Sequence, residues 1–265
     1  MKSIIANMLL ASLVFTAACT KKTDTTQTGS TTTPAASSAK ELIVGTDAAY
    51  APFESENADR TISGFDIEIL KSVAEKAGLN VKFVNTPWEG LFNQLESGDR
   101  DILVSAITIT DERKKVMDFS DPYFEAAQLI AVPVKSKVTK MADLKKLKVG
   151  VQNGTTGDEI VSQLIGKSSP NVKRFEGTPL AIKELENGGV DAVVADNGVL
   201  NNFQKNNAST FKVVSDPTFK KEFYGIAVKR GNTELLGKIN EGLKAIKADG
   251  TYDRIYKFYF GEAAK

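Results

Sequence analysis

An arginine within a run of hydroxyl and acidic residues is the first group in this chain that could do chemistry. Residues 108–115 read Thr-Ile-Thr-Asp-Glu-Arg-Lys-Lys, and they follow an apolar stretch at residues 102–107 that is typical of a buried strand. A helix capped by Thr110 or Asp111 would present free backbone N–H groups at its positive end, where anions bind. Arg113 could hold a carboxylate there through two parallel hydrogen bonds. The same run also fits a solvated basic turn without a binding role.

A second segment with anion-binding potential is the Gly-Thr-Thr-Gly run at residues 154–157. Glycines that flank two hydroxyl residues at the start of a helix suit a nest of backbone N–H groups. Most such runs are ordinary turns. Because no Gly-Lys-Ser or Gly-Lys-Thr follows, the run does not predict a nucleotide-binding P-loop.

The elements that must position these residues follow one plan twice. Each half of the chain reads as a strand, a helix that begins at Thr-Pro and stops at glycine, and a buried strand. In the first half these are a strand that leads into Thr-Pro at residues 80–87, a helix that ends at Gly98 and a strand at residues 101–105. In the second half they are a strand at residues 171–175, a helix that begins at Thr-Pro 178–179 and ends at Gly188, and a strand at residues 191–196. A further strand and helix come before each set, at residues 42–46 and 65–77 in the first half and at 147–151 and 156–165 in the second. This alternation predicts two small α/β lobes built on parallel-leaning sheets.

Two extended apolar segments, residues 128–132 and 223–227, are predicted to carry the chain between the lobes. Residues 235–260 read as two helices that return to the first lobe. Two crossings make a hinge, and hinged lobes can close around a solute. Ligands of such sheets lie beyond the carboxyl ends of the strands, where four polar residues fall: Asp47, Thr108, Thr155 and Asp196.

Composition excludes several classes of function. The chain carries 34 Lys+Arg against 33 Asp+Glu, so its charge balance gives no general reason to expect nucleic acid as a partner. It contains no histidine, which excludes histidine-based catalytic triads and histidine metal ligands. We expect no cofactor and no metal.

The N-terminus is typical of an export signal. Lys2 precedes a largely apolar stretch at residues 3–15, and small residues Ala17 and Ala18 stand before Cys19. The stretch is shorter than the roughly 20 apolar residues of a membrane-spanning helix. Cys19 is the only cysteine, so it cannot form an internal disulfide and is either a free thiol or a modified residue.

The position of Cys19 resembles the acylation site of a bacterial lipobox, although Thr16 stands where a lipobox usually has leucine. This resemblance predicts a mature chain that begins at a lipid-modified Cys19. The alternative is plain secretion with an unused thiol. Residues 20–40 are rich in Thr, Ser and Ala and have no large apolar residue, so they predict a flexible tether.

Seven motifs in a fixed order carry a resemblance to a known family. Residues 42–261 resemble the polar-amino-acid-binding proteins that supply bacterial ABC importers, the family-3 solute-binding proteins. The motifs are residues 45–53 (Gly-Thr-Asp-Ala-Ala-Tyr-Ala-Pro-Phe), 64–66 (Gly-Phe-Asp), 107–113, 118–123 (Asp-Phe-Ser-Asp-Pro-Tyr), 150–151 with 154–157, 191–196, and 249–252 (Asp-Gly-Thr-Tyr).

The resemblance implies a fold class and a set of boundaries. The fold is α/β, the two-lobed periplasmic-binding-protein (venus-flytrap) fold of type II, with two parallel-leaning sheets joined by a two-strand hinge. The expected divisions are a signal peptide at 1–18, a disordered tether at 19–40, lobe 1 at 41–128 and 225–265, and lobe 2 at 129–224.

The resemblance also assigns roles in a ligand site. Arg113 is expected to bind the α-carboxylate of an amino acid, and Asp196 its α-ammonium; a helix cap is the alternative role for Asp196. Asp47 adds a negative charge to the side-chain pocket. The aromatic residues would pack on a cationic side chain, or serve only the core. The predicted ligand-binding residues are Asp47, Tyr50, Phe53, Trp88, Ser105, Ala106, Thr108, Arg113, Gln152, Thr155, Thr156 and Asp196.

The implied function is extracytoplasmic binding of a polar, basic L-amino acid (arginine, lysine or histidine) and its delivery to an ABC permease. The expected protein is a monomer held at the membrane by its N-terminal lipid. Glutamine or cystine is the alternative ligand, because Gln152 suits an amide as well as a guanidinium. A periplasmic prephenate or arogenate dehydratase is the alternative of another class, with Asp47 as its acid. A second role as an adhesin or a sensor also stays open.

Overall fold

The computed structural model describes residues 40–206 and 209–261. The predicted signal peptide, Cys19 and the predicted tether up to residue 39 lie outside these residues. Within the described part of the chain, no helix has the length and hydropathy needed to cross a membrane.

Strands and helices alternate through the described residues. The strands are β1 (Glu41–Thr46), β2 (Ala49–Tyr50), β3 (Glu54–Glu56), β4 (Ile62–Ser63), β5 (Asn80–Asn85), β6 (Ile102–Leu103), β7 (Met117–Phe119), β8 (Phe124–Pro133), β9 (Val149–Gln152), β10 (Val172–Phe175), β11 (Ala192–Asp196), β12 (Phe211–Val214), β13 (Lys221–Tyr224) and β14 (Ala227–Lys229). The α-helices are α1 (Phe65–Ala77), α2 (Trp88–Ser97), α3 (Thr156–Ile165), α4 (Thr178–Glu186), α5 (Asn197–Asn206), α6 (Thr233–Ala248) and α7 (Thr251–Phe260).

Two sheets of corresponding design hold these elements. The first has the order β5-β1-β6-β14-β7 and the second the order β10-β9-β11-β8-β12, with β13 paired to β8. In each, the strands of the repeated plan are parallel: β1 with β5 and β6, and β9 with β10 and β11. The remaining strands pair antiparallel. The repeated pattern therefore predicted the parallel half of each sheet.

Helix packing stabilises the first sheet's lobe. Phe65, Ile69 and Val73 lie on one stripe of α1 and are fully buried. Helix α6 packs closely on α1, since a Cβ at Gly242 would lie 2.6 Å from the carbonyl oxygen of Val73. Burial of each of these three side chains contributes roughly 1.5–3 kcal/mol. The two C-terminal helices thus complete the lobe that the N-terminal half begins.

Both faces of the second sheet are covered. Along β8, Ile130 and Val132 belong to one apolar cluster, whereas Ala131 belongs to another. This alternation follows from the period of two in a strand. Helix α3 contributes Val161 to the first cluster, and α4 contributes Ile182 to the second. Buried faces on both sides explain why the inner strands β9 and β11 are mostly apolar and buried throughout.

The chain passes between the two sheets through neighbouring strands. Strand β8 begins against β13, where Phe124 faces Tyr224 and Ala127 faces Lys221, and then continues into the second sheet beside β11. After β13 the chain re-enters the first sheet as β14. The predicted crossings at residues 128–132 and 223–227 fall on these strands. The lobe boundaries at 128/129 and 224/225 remain predictions.

The local structure predicted around Arg113 is wrong. Strand β6 ends at Leu103, and a single 3-10 turn at Arg113–Lys115 replaces the expected helix. Thr110 caps this turn, because its hydroxyl oxygen accepts the backbone N–H of Arg113 at 3.2 Å. The turn cannot lengthen: its residues bury no apolar face, and β7 begins at Met117 to pair with β14. The predicted α-helix N-terminus beside Arg113 is therefore replaced by a 3-10 turn.

Candidate functional site

A cavity with about 320 Å³ of empty space lies where the ends of β1 and β9 approach each other. The structure brings eleven of the twelve predicted residues to its wall: Asp47, Tyr50, Trp88, Ser105, Ala106, Thr108, Arg113, Gln152, Thr155, Thr156 and Asp196.

Phe53 is the predicted residue that does not line this cavity. It is fully buried, and its ring lies 4.9 Å from that of Phe124 and 5.3 Å from that of Tyr224, centroid to centroid. The rings of Phe260, Tyr50 and Phe65 also lie next to it. The prediction for Phe53 is corrected: its side chain supports the cavity wall from the core because the aromatic residues of α7 and β8 enclose it.

Arg113 spans the cavity between the two lobes. Its Nη1 donates to the carbonyl oxygen of Thr108 at 2.9 Å, and its Nη2 donates to that of Gly154 at 3.4 Å. The guanidinium carbon lies 5.3 Å from the ring centroid of Trp88 and 5.2 Å from that of Phe92, within cation–π distance. Burial lowers the pKa of Arg113, but a guanidinium remains charged in proteins. Two of its five N–H groups are thus engaged, and the others are available to an anion.

Asp196 also lines the cavity and is held by three side chains. Its carboxylate accepts from the Tyr50 hydroxyl at 3.0 Å, from the Tyr224 hydroxyl and from the Gln128 amide. Burial raises the pKa of Asp196 to about 6, and the charge of Glu222 acts in the same direction. None of these partners belongs to the backbone of α5, so the carboxylate does not act as the helix cap considered as an alternative.

Asp47 and Gln152 form a polar pair at the ends of β1 and β9. The Gln152 Nε2 atom donates to Asp47 at 3.1 Å and also to the carbonyl oxygen of Glu176 at 3.1 Å. Burial raises the pKa of Asp47 to about 6 despite the hydrogen bond from Gln152. A carboxylate and an amide therefore stand side by side at this end of the cavity.

The threonine hydroxyls are engaged by a residue that the sequence did not indicate. Glu222, on β13, accepts from the Thr108 hydroxyl at 2.8 Å and from the Thr156 hydroxyl at 2.7 Å. Thr155 instead caps α3, where its hydroxyl oxygen accepts the backbone N–H of Asp158. Glu222 follows two lysines in the chain and looks like part of a solvated charged run. Only the pairing of β13 with β8 brings it to the cavity.

Gln128 and Tyr224 are two further residues at the site that were not predicted from the sequence. Gln128 is buried, and its Nε2, which carries two N–H groups, lies within hydrogen-bond distance of oxygens of Thr156, Asp196 and Glu222. A lone amide within the apolar segment at residues 128–132 was a usable signal, because buried polar side chains are costly without partners. Tyr224 gave no such signal, since aromatic residues are ordinary in a strand.

Ser105 and Ala106 form a turn at the floor of the cavity. The Ser105 hydroxyl accepts the backbone N–H of Asp47 at 3.0 Å and donates to Glu54 at 3.1 Å. Ala106 has a φ of 46°, in the left-handed region that costs a non-glycine residue roughly 1–2 kcal/mol. Its N–H donates to Asp66 at 2.7 Å. Contacts beneath the floor therefore hold a strained residue in place.

The charges of the cavity have a clear polarity. Among the lining residues Arg113 is the cation, and Asp47 and Asp196 are the carboxyl groups; the Glu222 carboxylate lies behind the hydroxyls of Thr108 and Thr156, from which it accepts hydrogen bonds. Such a cavity suits a ligand that carries one carboxylate and two cationic groups. The residues at 40–206 and 209–261 contain no cluster of histidine, cysteine or acidic side chains suited to a metal ion.

Three comparisons bear on this geometry. The family model described as "Bacterial extracellular solute-binding proteins, family 3" matches residues 42–262. The chain is 46% identical over 238 residues to a probable histidine-binding protein of Neisseria gonorrhoeae, covering 88% of this chain and 89% of that one. It is 34% identical over 230 residues to the ABC transporter arginine-binding protein 1 of Escherichia coli strain K12, covering 85% and 93%.

A solved structure with a similar fold is that of the arginine-, lysine-, histidine-binding protein ArtJ from the thermophilic bacterium Geobacillus stearothermophilus. The TM-score is 0.82 at 47% sequence identity, and the match covers 85% of this chain and 97% of that one.

Proposed function

Because the chain belongs to the bacterial extracellular solute-binding proteins of family 3, we propose that it binds a basic L-amino acid outside the cytoplasm and delivers it to the permease of an ABC importer. The predicted family and the predicted two-lobed α/β fold are both confirmed. Relatives named for histidine, arginine and lysine support the ligand class.

The observation that carries the proposal is the order of charges along the cavity. A free amino acid is a zwitterion, so it needs a cation for its carboxylate and an anion for its ammonium. Arg113 and Asp196 provide these two partners from different lobes. Asp47 then remains as a second carboxylate for the side chain, between the aromatic walls of Tyr50 and Trp88. A lysine, arginine or protonated histidine side chain satisfies that remaining charge.

Binding would be coupled to closure of the lobes. Arg113 already bonds the Gly154 carbonyl across the cavity, and Asp47 bonds Gln152. A ligand placed between them adds its own charge-assisted hydrogen bonds to both lobes. The strands β8 and β13 form the connection about which such a hinge would bend. The permease would then recognise the closed form.

A thermal-shift screen followed by calorimetry tests the ligand class. A ligand at 100 times its dissociation constant stabilises a protein by about 2.7 kcal/mol. We expect arginine, lysine or histidine to give the largest shifts among the twenty amino acids, ornithine and cystine. Tighter binding of glutamine or cystine would overturn the basic-ligand proposal while leaving the transport role in place. The Asp47–Gln152 pair favours glutamine as the second candidate, because a ligand amide placed between them would donate to Asp47 and accept the Gln152 N–H that Asp47 now accepts.

The dehydratase alternative has a separate test. Asp47, with its raised pKa, is the acid that such an enzyme would use. Incubation with arogenate or prephenate and detection of the aromatic product distinguishes the two classes. We propose that no product forms, since the relatives described above are named as binding proteins.

Lipid attachment at Cys19 and a monomeric state belong to the same proposal. Labelling with a palmitate analogue should mark the wild-type protein but not Cys19→Ser, and the variant should move from the membrane to the soluble fraction. Its affinity for the amino acid should not change, because the tether predicted at residues 20–40 would separate Cys19 from the binding domain. An unlabelled wild-type protein would exclude the lipid anchor.

A further inference from the structure

Two carboxyl groups meet in the core directly beneath the cavity floor. Glu54, on β3, and Asp66, at the second position of α1, are both fully buried. Neither forms an ion pair in the part of the chain that the structure describes. Their chain segments abut, since the N–H of Asp66 donates to the carbonyl oxygen of Phe53 at 3.0 Å. Two negative charges that are buried away from water without a cation would have a large cost in free energy.

Hydrogen bonding leaves one oxygen of each carboxyl without a donor. Asp66 Oδ2 accepts from the Ala106 N–H at 2.7 Å and from the Tyr123 hydroxyl at 2.6 Å, and Glu54 Oε1 accepts from Ser105. The other two oxygens, Asp66 Oδ1 and Glu54 Oε2, have no hydrogen-bond partner among the described residues. The two side chains are nevertheless within hydrogen-bonding reach of each other. A single proton between the carboxyls supplies the missing donor.

We propose that Glu54 and Asp66 share one proton and together act as positioning residues, which hold the Ser105–Ala106 turn in the geometry that receives the ligand. Glu54 carries the proton and donates a hydrogen bond to the Asp66 carboxylate. That carboxylate in turn accepts the N–H of the strained Ala106 backbone. The effect on the turn does not depend on which ligand binds. The effect on affinity rests on the function proposed above.

The location of the proton follows from the surroundings. Asp66 lies in the first turn of α1, where the helix dipole favours a negative charge, and it accepts two strong hydrogen bonds. Glu54 has only the Ser105 hydroxyl, and burial raises the pKa of Glu54 well above its usual range. The other titratable groups that act on the pair are Asp47, Tyr50, Tyr123 and Tyr252, none of which is a cation.

Infrared spectroscopy tests the proton without any ligand. A protonated carboxylic acid has a carbonyl stretch that shifts in D₂O and is distinct from that of a carboxylate. The difference spectrum of wild type minus Glu54→Gln at neutral pH should show one such band, whereas wild type minus Glu75→Gln should not. Glu75 is an exposed acid on the same helix as Asp66. Absence of the band in the first difference would overturn the shared proton, whatever the protein binds.

Calorimetry with L-arginine as the probe tests the positioning role. Glu54→Gln keeps a neutral donor to Asp66 and should retain affinity within about threefold, while Asp66→Asn removes the charged acceptor of the Ala106 N–H and should lose about tenfold or more. Equal losses in both variants, or none in either, would overturn the role. If Asp66→Asn does not fold, Glu54→Leu replaces it as the variant expected to lose affinity. Failure of the wild type to bind L-arginine would count against the proposed function only, because the infrared result stands by itself.

Discussion

Asp47, directly after β1 of the first sheet, and Asp196, at the end of β11 of the second sheet, differ in how firmly they are held. Each ends a buried parallel strand, and burial raises the pKa of each to about 6. Asp196 accepts from three buried side chains, whereas the one side-chain partner of Asp47 is the amide of Gln152. The rigid carboxylate suits a group common to all amino acids, and the less constrained one suits the group that varies.

This difference divides the cavity into two ends. We use main-chain end for Arg113 and Asp196, and side-chain end for Asp47 and Gln152. If the division holds, substitutions at the main-chain end weaken every amino acid equally, and substitutions at the side-chain end change the order of preference. The predictions below separate these outcomes.

Arg113→Ala should have the largest effect. It removes the partner of the ligand carboxylate, and loss of such a desolvated charge pair costs about 2–5 kcal/mol, or roughly thirtyfold to several thousandfold in affinity. The loss should be equal for arginine, lysine and glutamine when measured by calorimetry. Arg113→Lys should recover little, because an ammonium cannot reproduce the planar fork. Arg254→Ala, at an exposed position on α7, serves as the control. Unchanged affinity in Arg113→Ala would exclude the carboxylate role.

Asp47→Asn should have a smaller but selective effect. Only cationic ligands lose a charge partner, so arginine or lysine should weaken by about 1–3 kcal/mol relative to glutamine. Competition calorimetry with the three amino acids measures that difference directly. Asp111→Asn, which alters an almost fully exposed acid near the cavity, controls for long-range charge. A uniform loss across all three ligands would place Asp47 at the main-chain end instead.

Lowering the pH should weaken the affinity for a cationic ligand and increase the stability of the fold. Asp47 and Asp196 have folded-state pKa values of about 6, above the usual 3.8, so the folded protein binds protons more tightly than the unfolded chain. The contribution of these groups to stability therefore increases as the pH falls from about 6 towards 4. Affinity for a cationic ligand falls over the same range, because the carboxylates become neutral.

Asparagine variants assign each part of this pH profile. Asp196→Asn should remove part of the stability change and of the affinity change for every ligand, as followed by thermal unfolding and calorimetry from pH 4 to 8. Asp47→Asn should remove the part of the affinity change that is specific to basic ligands. An affinity that stays constant between pH 7 and 5 in the wild type would contradict the role of both carboxylates.

The sequence predicted those parts of the site that depend on neighbouring residues, but not those that depend on contacts between distant parts of the chain. The bounds of α1 followed from its local pattern and its terminal glycine, and Asp47 was placed by its position after β1. Arg113 reached the cavity through a 3-10 turn and two carbonyl contacts instead of the predicted helix. Glu222 depended on the register of β13 against β8, which pairs residues almost a hundred positions apart in the chain. Local patterns in the sequence contain no information about that register.

Trp88→Ala should give the smallest loss, and it tests the boundary between the two ends. The Trp88 ring lies within cation–π distance of the Arg113 guanidinium, and Trp88 lines the same cavity as Asp47. Removal of the ring costs one cation–π contact, about 0.5–2 kcal/mol. The loss should be similar for arginine and glutamine, because Arg113 is the group it disturbs. Trp88→Phe should recover much of the affinity. Since Trp88 is the only tryptophan, ligand titration of the wild type should change its fluorescence and the variants should lack that signal. A loss confined to basic ligands would instead show that the ring packs on the ligand side chain and belongs to the side-chain end.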